Sequence, residues 1–272
     1  MLALHATRSA NAIQSWTRAG KQDSLAVVLT GTDLYRDLAA GNAITAASLD
    51  ATAKLVALQG DARAMLQPAW RRKCTVIFQS AKELAPGVPR EGVLRAVVVG
   101  HLRAEKDPRT VFALFDHLPA DFPLTLRHVG APLDASLARE ARSLMRREPR
   151  YRYSGTLPHG LAREAIRRAD VLFHPSIMEG GANVIVEAVT SGTPVLASGV
   201  AGNVGMLGTR YPGYFETGDA STAAALLVRM HESARFRARL RRACDARRML
   251  FTPARERQAV RELVAGLLAA GA

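Results

Sequence analysis

The sequence predicts an α/β fold made of two parallel-sheet units in series, and three observations carry that expectation. Short apolar runs of strand length alternate with stretches of helical periodicity along most of the chain, the pattern of β-α units whose strands pair in parallel. Leu84 to Gly92, reading LAPGVPREG, places prolines and glycines between patterned segments and marks a linker. Ser176 to Ser198, reading SIMEGGANVIVEAVTSGTPVLAS, runs from a double-glycine turn through a helix to a second apolar run. Val171-Leu172-Phe173 leads into it as a strand.

In order, Met1 to His5 reads as the end of a strand and Arg8 to Arg18 as a helix. Leu25 to Leu29 is a continuous apolar run closed by the polar turn Thr30-Gly31-Thr32-Asp33. Lys54 to Leu58 and Thr75 to Phe78 are two further strands, with a short helix from Asp61 to Leu66 between them. Because this unit opens in mid-strand, it is expected to be incomplete at its N-terminus. Past the linker the alternation restarts: strands at Val93–Val99, Leu124–Val129 and Tyr151–Tyr153, helices at Pro108–His117, Asp134–Arg147 and Gly160–Arg168. Ser198 to Gly208, with four glycines, reads as a loop, and helices fill Ser221 to Met249 and the chain beyond Pro253. The expected organisation is a first domain at 1–88, a second at 89–250, and a C-terminal helix at 251–272 that packs back on the first.

Composition narrows the function classes. The chain has 272 residues, 48% hydrophobic and 22% charged, enough for two modest cores. No apolar run is long enough to span a membrane and no export signal opens the chain, so a cytoplasmic protein is expected. Cys74 and Cys244 stand alone, without the spacing of a disulfide framework or a zinc site. The net charge of +13 is mostly arginine on helices with an apolar side, without the interleaved aromatics of a base-stacking platform. Nucleic acid is therefore not an expected partner, and attraction of small anions is.

Ligands of open parallel sheets sit at the carboxyl ends of the strands, where the double-glycine turn places Gly180, Gly181 and Ala182 ahead of a helix. Glycine admits close backbone approach, and the helix N-terminus, with about half a positive charge, suits an anion such as phosphate. Asn183 and Glu187 share one helix face, and Glu179 with Glu187 brackets a ligand from two ends. A tight turn and a dipole-facing glutamate are the bland readings of the same residues. A second cluster, His101, Arg103 and Lys106, follows the first strand of the second domain and is suited to a diphosphate. Asp107 and Pro108 there read equally as a helix cap and first helical residue. There is no D-x-D pair for a metal-bound diphosphate, no phosphate loop of the Walker type, and neither an H-E-x-x-H nor a G-x-S-x-G motif.

These residues resemble a known family. The E-x7-E pair Glu179 and Glu187, the loop GHLRAEKDP at 100–108, Gly155-Thr156-Leu157 and Thr217-Gly218-Asp219 resemble the donor-binding half of family 4 retaining glycosyltransferases of the GT-B class, two Rossmann-like domains facing a cleft. His101 stands where that family has an arginine, and Arg103 is the substitute on offer. LHATRSA at 4–10, LTGTDLYRD at 29–37, MEGGANVIVEA at 178–188 and GNVGMLG at 202–208 extend the resemblance to the selenosugar synthases of selenoneine biosynthesis. That resemblance implies transfer of the sugar of a UDP-sugar, UDP-N-acetylglucosamine, to selenophosphate, without a metal or other cofactor. It implies that Lys106, with Arg103 or His101, holds the donor diphosphate. Gly180 to Asn183 hold the distal phosphate and sugar, Glu179 the sugar hydroxyls, Glu187 the ribose, and Leu157 packs on uracil. Thr32 and Asp33 are candidates for the acceptor side, with a helix cap as the plain reading of Asp33. A different acceptor, an inactive nucleotide-sugar-binding module, and an epimerase are the competing readings, the last unsupported by the basic loop.

Overall fold

The computed structural model describes residues 1–88 and 92–271. The expected linker and domain boundary run onto residues 89–91, and the expected C-terminal segment onto 272, which lie outside the described residues. The first unit is a four-stranded sheet, β1 (Leu2–Leu4), β2 (Ala26–Val28), β3 (Lys54–Ala57) and β4 (Cys74–Val76), ordered β1-β2-β3-β4 with every pairing parallel. Helices α1 (Ala10–Arg18), α2 (Ala43–Asp50), α3 (Gly60–Met65) and α4 (Pro68–Arg72) accompany it. Its core gathers Ile13, Leu25, Val27, Leu49 and Leu55.

The second unit is a six-stranded sheet of β5 (Leu94–Val99), β6 (Leu124–Val129), β7 (Tyr151–Tyr153), β8 (Val171–His174), β9 (Val195–Ser198) and β10 (Tyr214–Phe215), ordered β10-β9-β8-β5-β6-β7 and again parallel throughout. Strands covered on both faces must be apolar almost continuously; β8 and β9 are buried at every position. The helices α5 (Pro108–His117), α6 (Ala135–Arg147), α7 (His159–Arg168), α8 (Asn183–Thr190), α9 (Ala201–Leu207), α10 (Ala220–Glu232) and α11 (Ala234–Arg248) cover it. In α6 the buried residues Leu137, Ala138, Ala141 and Leu144 form one stripe, leaving the arginines outside, and Asp134 caps the helix by accepting from Ser136 and Leu137 N–H. This core is separate from the first. The last helix, α12 (Pro253–Ala270), runs back beside Gln22–Ser24 of the first unit, and Glu256 accepts from Ser80 N–H at 3.1 Å.

Strand order places the ligand crevice. The chain proceeds outward from β5 to β7 and then returns to the other side of β5 with β8, so the loops after β5 and β8 leave the sheet in opposite directions and open a gap between them. Those two loops are the basic segment at 100–107 and the double-glycine segment at 175–182.

Two expectations need correction. Residues 198–208 are not a loop, because Ala201–Leu207 is helix α9. Its glycines are a packing requirement: a Cβ at Gly202 would lie 1.9 Å from the Glu179 carbonyl oxygen, so the helix rests directly on the backbone that carries Glu179. Between Leu34 and Ala53 patterning predicts no element beyond the helix that Asp33 caps on its plain reading, whereas the chain forms a π-helical turn at Asp33–Asp37, without a side-chain cap, and then α2, whose Asn42 cap accepts from Ile44 and Thr45 N–H.

Candidate active site

The basic loop is set by its exit. Asp107 adopts a left-handed backbone, φ 44°, accepts from Thr110 N–H at 3.3 Å, and is followed by Pro108 in the first helical turn, as the cap reading expects. Lys106 is thereby aimed across the crevice, and its ammonium donates to the Glu179 carboxylate. Glu179 also meets the Nε2 of His174, the last residue of β8, at 3.1 Å, and the side chains of Lys106, Glu179 and His174 are only 19%, 8% and 3% exposed. Burial alone would raise the Glu179 pKa, but hydrogen bonding and charge from His174 and Lys106 outweigh it and hold the group below the usual carboxylate range. Glu179 is therefore a fixed anion.

His101 lies on the same wall. Its Nδ1 accepts from Ala131 N–H at 3.0 Å, leaving the proton on Nε2. Burial, then the Arg103 and Lys106 charges, lower its pKa, so near neutral pH it offers a neutral N–H donor. Across the crevice α8 begins without a side-chain cap. One turn in, Glu187 is 3% exposed and meets His159 Nε2 at 2.5 Å and Asn183 Nδ2 at 3.4 Å.

A cavity of about 380 Å³ joins these walls. Gly100, His101, Arg103 and Lys106 form one side, Gly181, Ala182 and Asn183 the other, and Leu157 with Val129 and Ala162 the apolar end. Cavities of about 530 and 540 Å³ occur elsewhere, under α10 and α11 and between α1 and α2, but neither gathers loops from the carboxyl strand ends. Glu187 stands behind Asn183 rather than on the cavity surface. Gly180 faces a neighbouring cavity of about 200 Å³ between the two sheets, which Arg103 and Glu179 also line. There the units touch: a Cβ at Gly180 would lie 2.3 Å from Gly31 N.

Of the two first-domain candidates, Thr32 lines this smaller cavity and Asp33 does not. Asp33 is fully buried, accepting from Thr30 N–H at 2.8 Å and pairing with His5 Nδ1 at 2.7 Å. Its carboxylate locks the turn after β2 instead of facing the cleft or capping the turn that follows. His5, Asp33 and Asp37 are the one group among the described residues with ligand atoms close enough for a metal, within 4.8 Å. Those atoms are already engaged: Asp37 accepts from Thr7 Oγ1 at 2.7 Å and from Arg36 Nε at 2.8 Å. Sequence reasoning missed His174, His159 and His5, all partners of buried carboxylates. The signal for His174 was its place at the end of a buried strand five residues before Glu179; His159 carried none.

Comparison with known proteins agrees with this architecture. The profile of the family described as "Glycosyl transferases group 1" matches residues 81–247. Comparison by sequence with curated proteins returns no match. Anabaena HepE, solved in complex with UDP, superposes with a TM-score of 0.79 at 14% identity, over 97% of this chain and 78% of that one. Sucrose-phosphate synthase from Thermosynechococcus elongatus gives 0.81 at 19% identity, over 99% and 73%. The α,α-trehalose 6-phosphate synthase of Burkholderia multivorans gives 0.77 at 14%, over 99% and 71%. At these identities the likeness speaks to the fold, which is GT-B: two Rossmann-like units of parallel sheet.

Proposed function

The chain belongs to the group 1 glycosyl transferases, and from that premise we propose that it transfers a sugar from a UDP-sugar, without a metal ion, to selenophosphate. The carrying observation is the convergence of Lys106, Arg103 and His101 with the uncapped start of α8 on one cavity at the switch point of the second sheet. The donor diphosphate lies against Lys106 and the N–H groups at Gly181 to Asn183. Glu179 and Gly180 meet the sugar, Glu187 binds the ribose in place of His159, and uracil packs on Leu157. HepE, solved with UDP and with UDP-glucose, supports a uridine donor by analogy of fold.

In the reaction the bond between the anomeric carbon and the β-phosphate oxygen breaks, and its electron pair leaves with UDP. The acceptor atom, selenium in this proposal, supplies the pair for the new bond to carbon. Negative charge grows on the diphosphate as the bond lengthens. The fixed ammonium of Lys106 and the helix-terminal N–H groups therefore favour the transition state over the bound donor. The positive charge that a metal would supply comes from these groups. Among the described residues, Arg103 is the one cation bordering both donor cavity and cleft.

The selenophosphate acceptor rests on the sequence motifs at 4–10, 29–37 and 202–208. The test is to incubate the protein with UDP-N-acetylglucosamine, with and without selenophosphate, and to follow UDP release and the mass of a sugar–selenium product. Selenophosphate-dependent UDP release with that product is expected. UDP release that depends on a different acceptor would leave a conventional transferase, and UDP binding without turnover a nucleotide-sugar-binding module.

A further inference from the structure

The cavity of about 200 Å³ between the sheets has a chemistry of its own. It adjoins the donor cavity through Arg103 and Glu179, at the opposite end from Leu157. A molecule in it therefore abuts the sugar end of the donor.

Its charge is unevenly distributed. Arg8, from the turn after β1, and Arg103, from the loop after β5, line it from opposite units. Arg103 Nε is buried without a hydrogen-bond partner, and the Glu105 carboxylate stands 3.8 Å from it, beyond hydrogen-bond distance. A buried guanidinium N–H left unpaired is costly. Arg8 is exposed, and no ion pair among the described residues includes it. The Glu179 carboxylate is already matched by Lys106 and His174, and Asp33 is buried behind the turn. That leaves Glu105, ion-paired with Arg103 at 3.8 Å, against two arginines, of which Arg8 has no ion pair among the described residues. Hydroxyls complete the wall: Thr32 Oγ1 lies 2.8 Å from His5 Nε2 and 3.1 Å from Thr30 Oγ1. The ring that orients Thr32 is itself held by Asp33 at 2.7 Å.

Two arginines that line one small cavity with the Thr30 and Thr32 hydroxyls in its wall suit a tetrahedral oxyanion. The volume, roughly half that of the donor cavity, suits a small one. We infer that this cavity is the acceptor subsite and that it binds a phosphate-type oxyanion between Arg8 and Arg103, one arginine from each unit. The inference rests on the donor reading above and deepens it. The acceptor is selected by charge, and its anionic group bridges the two units, so Arg8 sets specificity without touching the donor.

The experiment is calorimetric titration of inorganic phosphate, and separately of glucose 6-phosphate, into the full chain saturated with UDP. Wild type is expected to bind at least one of them. Arg8→Ala should weaken that binding about tenfold or more, the loss of one charge-assisted pair, while UDP affinity stays within about twofold. Arg8→Lys should recover part of the loss. Arg142→Ala, which removes an exposed arginine on α6, should change nothing. Preference for phosphate identifies a free oxyanion, and preference for glucose 6-phosphate a phosphate monoester; either supports the site. If UDP binds and neither anion does, or if Arg8→Ala binds as wild type does, the inference falls and the donor reading stands. Equal losses in Arg8→Ala and Arg142→Ala would reduce the effect to general attraction and overturn it. If UDP itself does not bind, the donor reading falls and takes this one with it.

Discussion

Lys106→Met is the sharpest perturbation of the proposed donor site, because it removes the ammonium and keeps the stem. That stem passes over Gly100, where a Cβ would meet it at 3.6 Å. Two effects follow, and they separate. Removing a fixed group that stabilises developing charge costs roughly 10²–10³ in kcat, about 3–4 kcal/mol. The stability cost comes from Glu179, 8% exposed, which loses one of two partners. Breaking a buried pair on one side costs about 3–5 kcal/mol, and retention of His174 at 3.1 Å places this case at or below the low end. The sign with pH follows from the depressed Glu179 pKa. Its stabilisation is fully present above the unfolded carboxylate value, about 4.3, and is lost as pH falls through the folded value. The stability gap between wild type and Lys106→Met should therefore be largest near neutral pH and narrow in acid. UDP release at saturating donor, UDP affinity, and urea unfolding at neutral and acid pH measure the three quantities. Turnover within about threefold of wild type, or UDP affinity falling as far as kcat, would refute the assignment.

Three further perturbations test other parts of the site. Glu187→Ala should weaken UDP binding roughly tenfold or more, the worth of a hydrogen bond to a charged group, and undiminished affinity by calorimetry would remove its ribose role. Gly180→Ala places a methyl 2.3 Å from Gly31 N, backbone against backbone, so the units must separate; turnover should be lost with UDP binding kept, and normal turnover would show that the contact is dispensable. His128, hydrogen-bonded near Tyr151 Oη and the Gly100 carbonyl, has its pKa pushed down to about 4 by burial. The unfolded chain then binds more protons as pH falls from about 6.5, so stability should drop by about 3 kcal/mol by the time pH reaches the folded value. In His128→Gln that part of the acid sensitivity should be absent; identical wild-type and variant profiles in chemical unfolding would count against the burial argument.

Helix and strand periodicity made most of the second sheet legible, since each β-α unit there carries its own local signal. Legibility failed where tertiary contact decides conformation. The glycines of α9 read as loop chemistry because what they accommodate, the Glu179 backbone at Gly202 and the Gln59 side chain at Gly205, lies in other segments. Asp33 read as a polar turn residue at a strand end, and only packing turned its carboxylate inward to His5 and Thr30. The partners of the two candidate glutamates were equally invisible. His174 and His159 lie five and twenty-eight residues away in sequence, distances that no helical or strand period connects.

By itself the sequence determined the chemistry on offer: a parallel α/β fold, a basic loop, a double-glycine turn opening a helix, and two glutamates eight positions apart. These follow from local rules, because residue type and spacing fix strand, turn and cap. Only the tertiary structure decided which groups meet. The return of β8 to the other side of β5 brings Lys106 against Glu179, and the contact of the two units at Gly31 and Gly180 brings Arg8 and Arg103 to one cavity. Strand order is settled by the packing of whole layers, and no single segment of the chain encodes it.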